Sequence, residues 1–305
     1  MTPRAAEATA PCRVDLAGGV PGALTVTVAI DRRAWCRVET AAEGVLLESR
    51  DALRKASGRS VAGLAEPGPL AAVARVLRAV RVETGVRVVT QSRVPEGSGL
   101  GEGAALGAAV AGAAAGFLGR DVGPDEIARL AVEAEPPRES QGIREAHTAV
   151  RGGVLALHPA DGAPRAERLA VDPARIEESL LLVEGAPSAK AGRVDARVVQ
   201  DLAARLSSAL LEGRLEDIVS LWAEEWDSRR GPGWPPAEAE RVAAIVRAAG
   251  GAARPCGAGQ GSLLALWAPP GARGPGRREA VLLAAKTAGL RLFPARVDLR
   301  GLEVE

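Results

Sequence analysis

The sequence predicts an α+β fold made of a larger N-terminal half and a C-terminal half that share an interface. Three observations predict it. Strand-like and helix-like apolar runs are interleaved along the 305 residues without strict β–α–β alternation, which disfavours a doubly wound parallel sheet. The length suits one large domain or two medium ones. Two glycine clusters, Gly97–Gly103 and Gly257–Gly261, each border a strand-like run, one in each half.

In chain order, Cys12–Leu16, Leu24–Ile30 and Ala34–Glu39 are apolar or alternating and rich in β-branched residues, so they read as strands. Gly18, Gly19, Pro21 and Gly22 turn the chain between the first two. Leu70, Val73, Val76, Leu77 and Val80 recur at helical spacing and predict a helix over Pro69–Glu83. Val86–Val94 is a strand stopped by Pro95, followed by the glycine loop and an Ala-rich helix, Ala104–Leu118. Pro124 opens a short helix, Asp125–Glu135, that Pro136 and Pro137 close. Behind Gly152 and Gly153 come the strands Val154–His158 and Ser179–Val183. Helices are expected at Val198–Glu212, Ile218–Asp227 and Ala237–Ala249, with Trp222 and Trp226 stacked one turn apart. Ser262–Ala268 is a strand, Arg277–Gly289 a helix and Arg291–Val297 a last strand. The loop Asp161–Ala174 is the expected hinge between halves 1–160 and 175–305.

Composition excludes several function classes. A net charge of +1, no basic tract and 2% aromatic residues give nucleic acid little to bind. With no tyrosine, Ala, Leu and Val must fill the core. Cys12, Cys36 and Cys256 are odd in number and far apart, as reduced thiols in a cytoplasmic protein would be. Two distant histidines and three scattered cysteines assemble no transition-metal site. Residues 1–10 are polar and resemble no signal peptide, and Gly103–Leu118 is too short and glycine-broken to span a membrane.

The chemistry concentrates at Pro95-Glu96-Gly97-Ser98-Gly99-Leu100-Gly101. Four glycines around a helix start are costly in chain entropy unless the backbone conformation requires them. They let N–H groups converge, and the helix N-terminus adds partial positive charge, an arrangement suited to a polyphosphate. A P-loop needs Gly-Lys-Ser/Thr at its end, and this loop has no lysine. A dinucleotide fingerprint would open a βαβ unit near the N-terminus. The competing structural reading is a tight glycine turn with close helix packing.

Pro-x-Gly-x-Gly-Leu-Gly resembles the phosphate-binding motif of the GHMP kinases (galacto-, homoserine, mevalonate and phosphomevalonate kinases). Two further motifs resemble that family in the same order: Ala10-Pro11-Cys12-Arg13-Val14-Asp15-Leu16-Ala17-Gly18-Gly19, and Gly257-Ala258-Gly259-Gln260-Gly261. The stretch Gly142–Val154, with Trp226, Arg229, Arg230 and Phe293–Gly301, resembles the heptose-7-phosphate kinase branch. The resemblance implies a two-domain fold, with a ribosomal-protein-S5-like N-terminal domain and a ferredoxin-like C-terminal domain. It implies ATP and Mg²⁺ as cofactors and a small polar, sugar-type acceptor, with neither nucleic acid nor membrane as partner. Carried over position by position, Pro95, Gly97, Ser98, Gly99, Leu100, Gly101, Glu102, Gly103 and Ala104 would bind nucleotide. Arg13 would stabilise the transferred phosphoryl group and Glu145 would be the catalytic carboxylate. Arg144, Gly257, Ala258 and Gly259 would meet the substrate, and Glu102 would ligand the metal.

The sequence departs from that pattern at four places. Two serines of the family, one a Mg²⁺ ligand, are replaced by Glu102 and Gly103. Glu102 would either ligand the metal or act as a built-in anion at the helix N-terminus. The family's catalytic aspartate is the longer Glu145, and its neighbouring glutamine is Arg144, a cation able to pair with Glu145 or to hold an acidic substrate. A segment that carries a sugar-binding aspartate is absent after Gly19. Arg13 is retained, either for catalysis or simply as a partner of Asp15 or another acid. His147 and His158 carry no catalytic expectation. Two functions follow: a sugar-type kinase, or a catalytically silent relative that binds nucleotide, metabolite or a partner chain.

Overall fold

The structure is a computed structural model that describes residues 4–68, 70–134, 142–160, 164–185, 195–257, 261–270 and 276–305. Two sheets organise it. The first runs β12-β1-β2-β5-β3-β4, with β6 joining β2 and β7 joining β6. Its strands are β1 (Ala5–Ala17), β2 (Thr25–Thr40), β3 (Val45–Ser49), β4 (Arg54–Gly58), β5 (Val86–Ser92), β6 (Val154–His158), β7 (Arg165–Arg168) and β12 (Glu303–Val304). All its pairs are antiparallel except β3 with β5.

The two strands expected at Leu24–Ile30 and Ala34–Glu39 are one continuous strand, β2. It pairs along its first part with β6 and along its second with β5, while β1 runs opposite most of its length. The polar run Asp31–Arg33 marks the change of partner, not a turn. The expected hinge is also altered: Arg165–Arg168 is strand β7, paired with β6, and Pro173 opens helix α5 (Pro173–Ser179).

Helices α1 (Ala71–Val80), α2 (Glu102–Leu118), α3 (Pro124–Ala131) and α4 (Gly142–Arg151) pack together, with α2 lying on β1 and β2. Helix α2 is buried nearly all round, and its small side chains explain how. Alanine and glycine let β1, β2, α1, α3 and α4 approach its axis closely, which suits a core poor in aromatics.

The second sheet, β11-β8-β10-β9, is built from β8 (Leu180–Glu184), β9 (Ala252–Pro255), β10 (Leu263–Trp267) and β11 (Leu292–Pro294). Helices α6 (Ala196–Leu211), α7 (Asp217–Ser228) and α8 (Ala237–Ala248) lie between β8 and β9 in the chain, and α9 (Arg277–Thr287) lies between β10 and β11. Numbered within this unit, the strand order is 4-1-3-2, all antiparallel, which is the ferredoxin-like arrangement. The tail does not end there: β12 returns to pair with β1 in the first sheet.

Trp222 and Trp226 do not stack on each other. Trp222 packs against Trp267 with centroids 5.7 Å apart, and Trp226 against Trp234 at 4.9 Å. Consecutive turns of α7 thus serve two different apolar clusters.

Candidate active site

Three motifs distant in sequence converge at the N-terminus of α2. Strand β5 delivers the chain to Pro95, and the loop is closed by a hydrogen bond from the Ser98 N–H to the Pro95 carbonyl (3.1 Å). Ser98 and Leu100 are buried, anchoring the loop from within. Gly99 and Gly101 have φ of +83° and +69°, a region costly for any residue with a Cβ. Gly101 is also the N-cap of α2 and offers no side chain to the first-turn amides. Those N–H groups therefore remain for a ligand, with the positive end of the helix behind them.

Arg13 lies across this helix start. Its backbone N–H donates to the Leu100 carbonyl at 2.8 Å, tying β1 to the loop. A Cβ added at Gly101 would lie 3.0 Å from Arg13 Cγ and 3.2 Å from its Nε. Glycine at 101 is what lets the guanidinium pass. The Arg13 side chain is 4% exposed and pairs with two carboxylates, Asp15 at 3.2 Å and Glu145. Burial alone would weaken its hold on the proton. Asp15 and Glu145 more than offset that and hold the guanidinium above its ordinary pKa. Of the two sequence readings of Arg13, the pairing with Asp15 is present, and Glu145 makes it a cation bracketed by two acids. Glu145 stands in the first turn of α4 and is 22% exposed, the most solvent-accessible of the three.

The second glycine cluster buttresses the first. The Ser262 N–H donates to the Gly97 carbonyl at 3.0 Å and the Leu263 N–H to the Ser98 carbonyl at 3.3 Å. A Cβ at Gly99 would meet the Cys256 carbonyl carbon at 2.7 Å, and one at Gly257 would meet Gly99 Cα at 2.7 Å. Gly257 thus turns its Cα toward the loop. Ala258 and Gly259 lie outside the described residues, as does the side chain of Arg144, so their expected substrate contacts are not placed.

On the other side of the loop is a cleft of about 760 Å³, lined by the ends of β3 and β5, the start of α1, the loop and the first turn of α2. Asp51 is fixed on its wall, accepting from Ser49 Oγ and from the Ser92 N–H, both at 3.1 Å. Glu102 faces the same cleft. Burial, with the nearby Asp51 and Glu96 carboxylates, pushes its carboxyl up to about 7. Sequence reasoning missed Asp51; no local pattern singles out one acid after a strand.

The residues present fit a polyphosphate, because uncapped amides, left-handed glycines and a helix N-terminus meet in one place. They also fit a divalent cation held largely by phosphate oxygens. Among the described residues no cluster of three or more metal-ligating side chains occurs. Mg²⁺ at nucleotide sites takes one or two carboxylates and completes its shell with phosphate and water. Glu102, raised among like charges, is a carboxylate whose ionised form a dication would favour. His147 is buried on α4, 3.7 Å from Asp125, and faces neither the loop nor the cleft lining.

Comparison with known proteins agrees with this geometry. Residues 69–153 match the GHMP kinases N terminal domain. No protein of curated function matches the chain by sequence. Among solved structures, a D-glycero-D-manno-heptose 1-phosphate kinase from Bacteroides thetaiotaomicron is similar at 21% identity, with a TM-score of 0.78 over 98% of each chain. A candidate sugar kinase from Campylobacter jejuni is similar at 19% identity, with a TM-score of 0.76 over 99% of this chain and 98% of the other. MDDEF in complex with MVAPP, AMPPCP and magnesium is similar at 16% identity, with a TM-score of 0.69 over 100% of this chain and 99% of the other. Residues 69–153 are therefore similar to the GHMP kinases N terminal domain, in a chain that has the GHMP kinase fold along nearly its whole length.

Proposed function

We propose that the protein transfers the γ-phosphoryl group of ATP to a hydroxyl of a sugar or sugar-phosphate-like small molecule. The observation that carries this reading is the convergence of Arg13 and Glu145 at the foot of an uncapped, glycine-built helix start. In the transfer, the acceptor oxygen forms a bond to the γ-phosphorus as the bond to the β,γ-bridging oxygen breaks. ADP leaves, and the hydroxyl proton passes to the Glu145 carboxylate. Loop amides hold the phosphates, and Arg13 meets charge on the moving group. Glu102 would hold Mg²⁺, which supplies neutralisation of the phosphate charge. Gly257 supports the loop through Gly99 and does not itself need to touch the acceptor.

A second reading has its own observation. Arg13 is already engaged by two carboxylates, and Glu102 places a further acid at the cleft. A silent relative would keep such pairs as structure and bind nucleotide or metabolite without turnover. A phosphorylation assay over hexoses, heptoses and their phosphates, comparing the parent with Glu145→Gln, separates the two. The kinase reading expects turnover that falls about a hundredfold in the variant. Parent protein that binds AMPPCP yet phosphorylates nothing favours the silent reading. Absence of AMPPCP binding at millimolar concentration sinks both nucleotide readings.

A further inference from the structure

Where β1 leaves the sheet, its carbonyls are not all used by strand pairing. The register with β2 shifts between Asp15 and Ala17, a bulge that turns backbone groups outward. Side chains from the C-terminal half collect them. Arg254, on β9, donates from one guanidinium nitrogen to the Asp15 carbonyl at 2.7 Å and from another to the Gly18 carbonyl at 2.9 Å. Trp222, on α7, donates its indole N–H to the Leu16 carbonyl at 2.8 Å. Beyond the glycine turn, the Leu24 N–H donates to Gln200, on α6, at 2.6 Å.

The clamp is itself fixed. Arg254 is 3% exposed, and its Nε donates to Glu225 Oε2 at 2.9 Å. Glu225 also accepts from Arg229 Nε at 3.0 Å and Nη2 at 2.5 Å. A planar guanidinium with five donors suits such work, since one side chain can bind two carbonyls and a carboxylate at once. Packing of β1 against its own sheet would not require any of this. The segment so held carries Asp15, whose carboxylate pairs with Arg13, which in turn pairs with Glu145.

We infer that Arg254, locked by Glu225 and assisted by Trp222, is a positioning residue that sets the Asp15–Gly18 backbone and thereby aims Arg13 at the transferred phosphoryl group. The inference rests on the kinase reading for its chemical consequence, but not for its structural one. Arg254 and Trp222 touch neither nucleotide nor acceptor in this scheme. They act through the end of β1. The turn that follows is built on Gly18, Gly19 and Gly22, all at positive φ, and Arg254 and Gln200 hold its two ends.

The test compares the parent with Arg254→Lys, which keeps the charge and loses the fork, and with Trp222→Phe, which keeps an aromatic ring but loses the donor and part of the packing on Trp267. Arg241→Ala, at an exposed pair with Glu238, is the control. Hydrogen exchange over residues 14–19 and over β5 is followed together with phosphoryl transfer from ATP to the acceptor found in the sugar panel. In Arg254→Lys, exchange over 14–19 should quicken at least tenfold while β5 stays as in the parent. Its kcat should fall at least tenfold with KM for ATP within twofold, and Trp222→Phe should show the same pattern more weakly. Unchanged protection of 14–19 overturns the inference, as does a uniform loss across both regions, which marks a merely structural role. Local loss with kcat within twofold of the parent overturns it too. If the parent phosphorylates nothing, the kinase reading fails, and the exchange data alone decide whether Arg254 sets this segment.

Discussion

Replacing Gly99 by alanine isolates how the loop is held. Gly99 has φ +83°, and a Cβ there would sit 2.7 Å from the Cys256 carbonyl carbon, 2.8 Å from its oxygen and 2.9 Å from Gly261 Cα. All three are backbone atoms and none can swing aside. Gly97 is the natural comparison: its φ is +76°, but nothing lies within 4 Å of its would-be Cβ. Gly97→Ala should therefore cost only the left-handed conformation, about 1–2 kcal/mol. Gly99→Ala should add the separation of two packed backbone segments, a further ~1–3 kcal/mol. A gap of about 2 kcal/mol between the two exceeds the 1.4 kcal/mol of a tenfold change in an equilibrium constant. Urea denaturation of both variants measures the stabilities, and calorimetric titration with AMPPCP reads the loop. Gly99→Ala should bind AMPPCP at least tenfold more weakly than Gly97→Ala. Equal stability and equal affinity in the two would refute the view that the Cys256–Gly261 turn buttresses the loop.

Two further predictions concern charge. Glu102 has its folded pKa raised to about 7 from an unfolded 4.5, so between those values the folded state holds the proton and the unfolded state does not. Its contribution is thus most favourable below pH 4.5, declines as pH rises through 7, and is an unrelieved cost above that. Glu102→Gln should stabilise the protein by about 1–2 kcal/mol at pH 8, discounted for solvent in the cleft, and by little at pH 5. Without Mg²⁺, the ratio of parent to Glu102→Gln affinity for AMPPCP should be higher at pH 6 than at pH 8, which cancels the ligand's own titration; an unchanged ratio would show that Glu102 does not face the phosphates. Glu225→Gln leaves Arg229 and Arg254 buried without their counter-ion, and denaturation should show a loss of about 3–5 kcal/mol. A loss under 1 kcal/mol would mean that water reaches the cluster.

Most of the site's scaffold was legible in the sequence, because its signals are local. Glycines at a helix start, a proline ending a strand and apolar residues at helical spacing need no tertiary context. What escaped reading lacked such signals. Strand β4, Arg54–Gly58, is polar and largely exposed, and β7, Arg165–Arg168, is an edge strand with three charged residues; neither alternates in hydrophobicity. Both form because a neighbouring strand offers hydrogen bonds, not because their side chains seek a core. The Trp222–Trp226 expectation failed since residues four apart on a helix share a face only until two partners compete for them. Glu225 left a faint trace: three residues after one buried tryptophan and one before another, it lies on the apolar face of α7 and four residues before Arg229. A charge on that face implies a buried counter-ion, yet Arg254 is 29 residues away and no spacing rule reaches it.

Two groups of paired charges tie the end of β1 to the C-terminal strands. At the end of β1 one cation, Arg13, meets two carboxylates, Asp15 and Glu145. Across the interface one carboxylate, Glu225, meets two cations, Arg229 and Arg254. Each group alone would bury an uncompensated charge, which is costly at low dielectric. Together they hold three charges of each sign, and Asp15 helps raise the pKa of Arg254, so the groups sense one another. The end of β1 and the strand β9 are thus joined by charge as well as by the hydrogen bonds of Arg254 to the Asp15 and Gly18 carbonyls. Losing Arg254 would leave Glu225 with one buried partner in place of two and the Asp15 and Gly18 carbonyls without their donor.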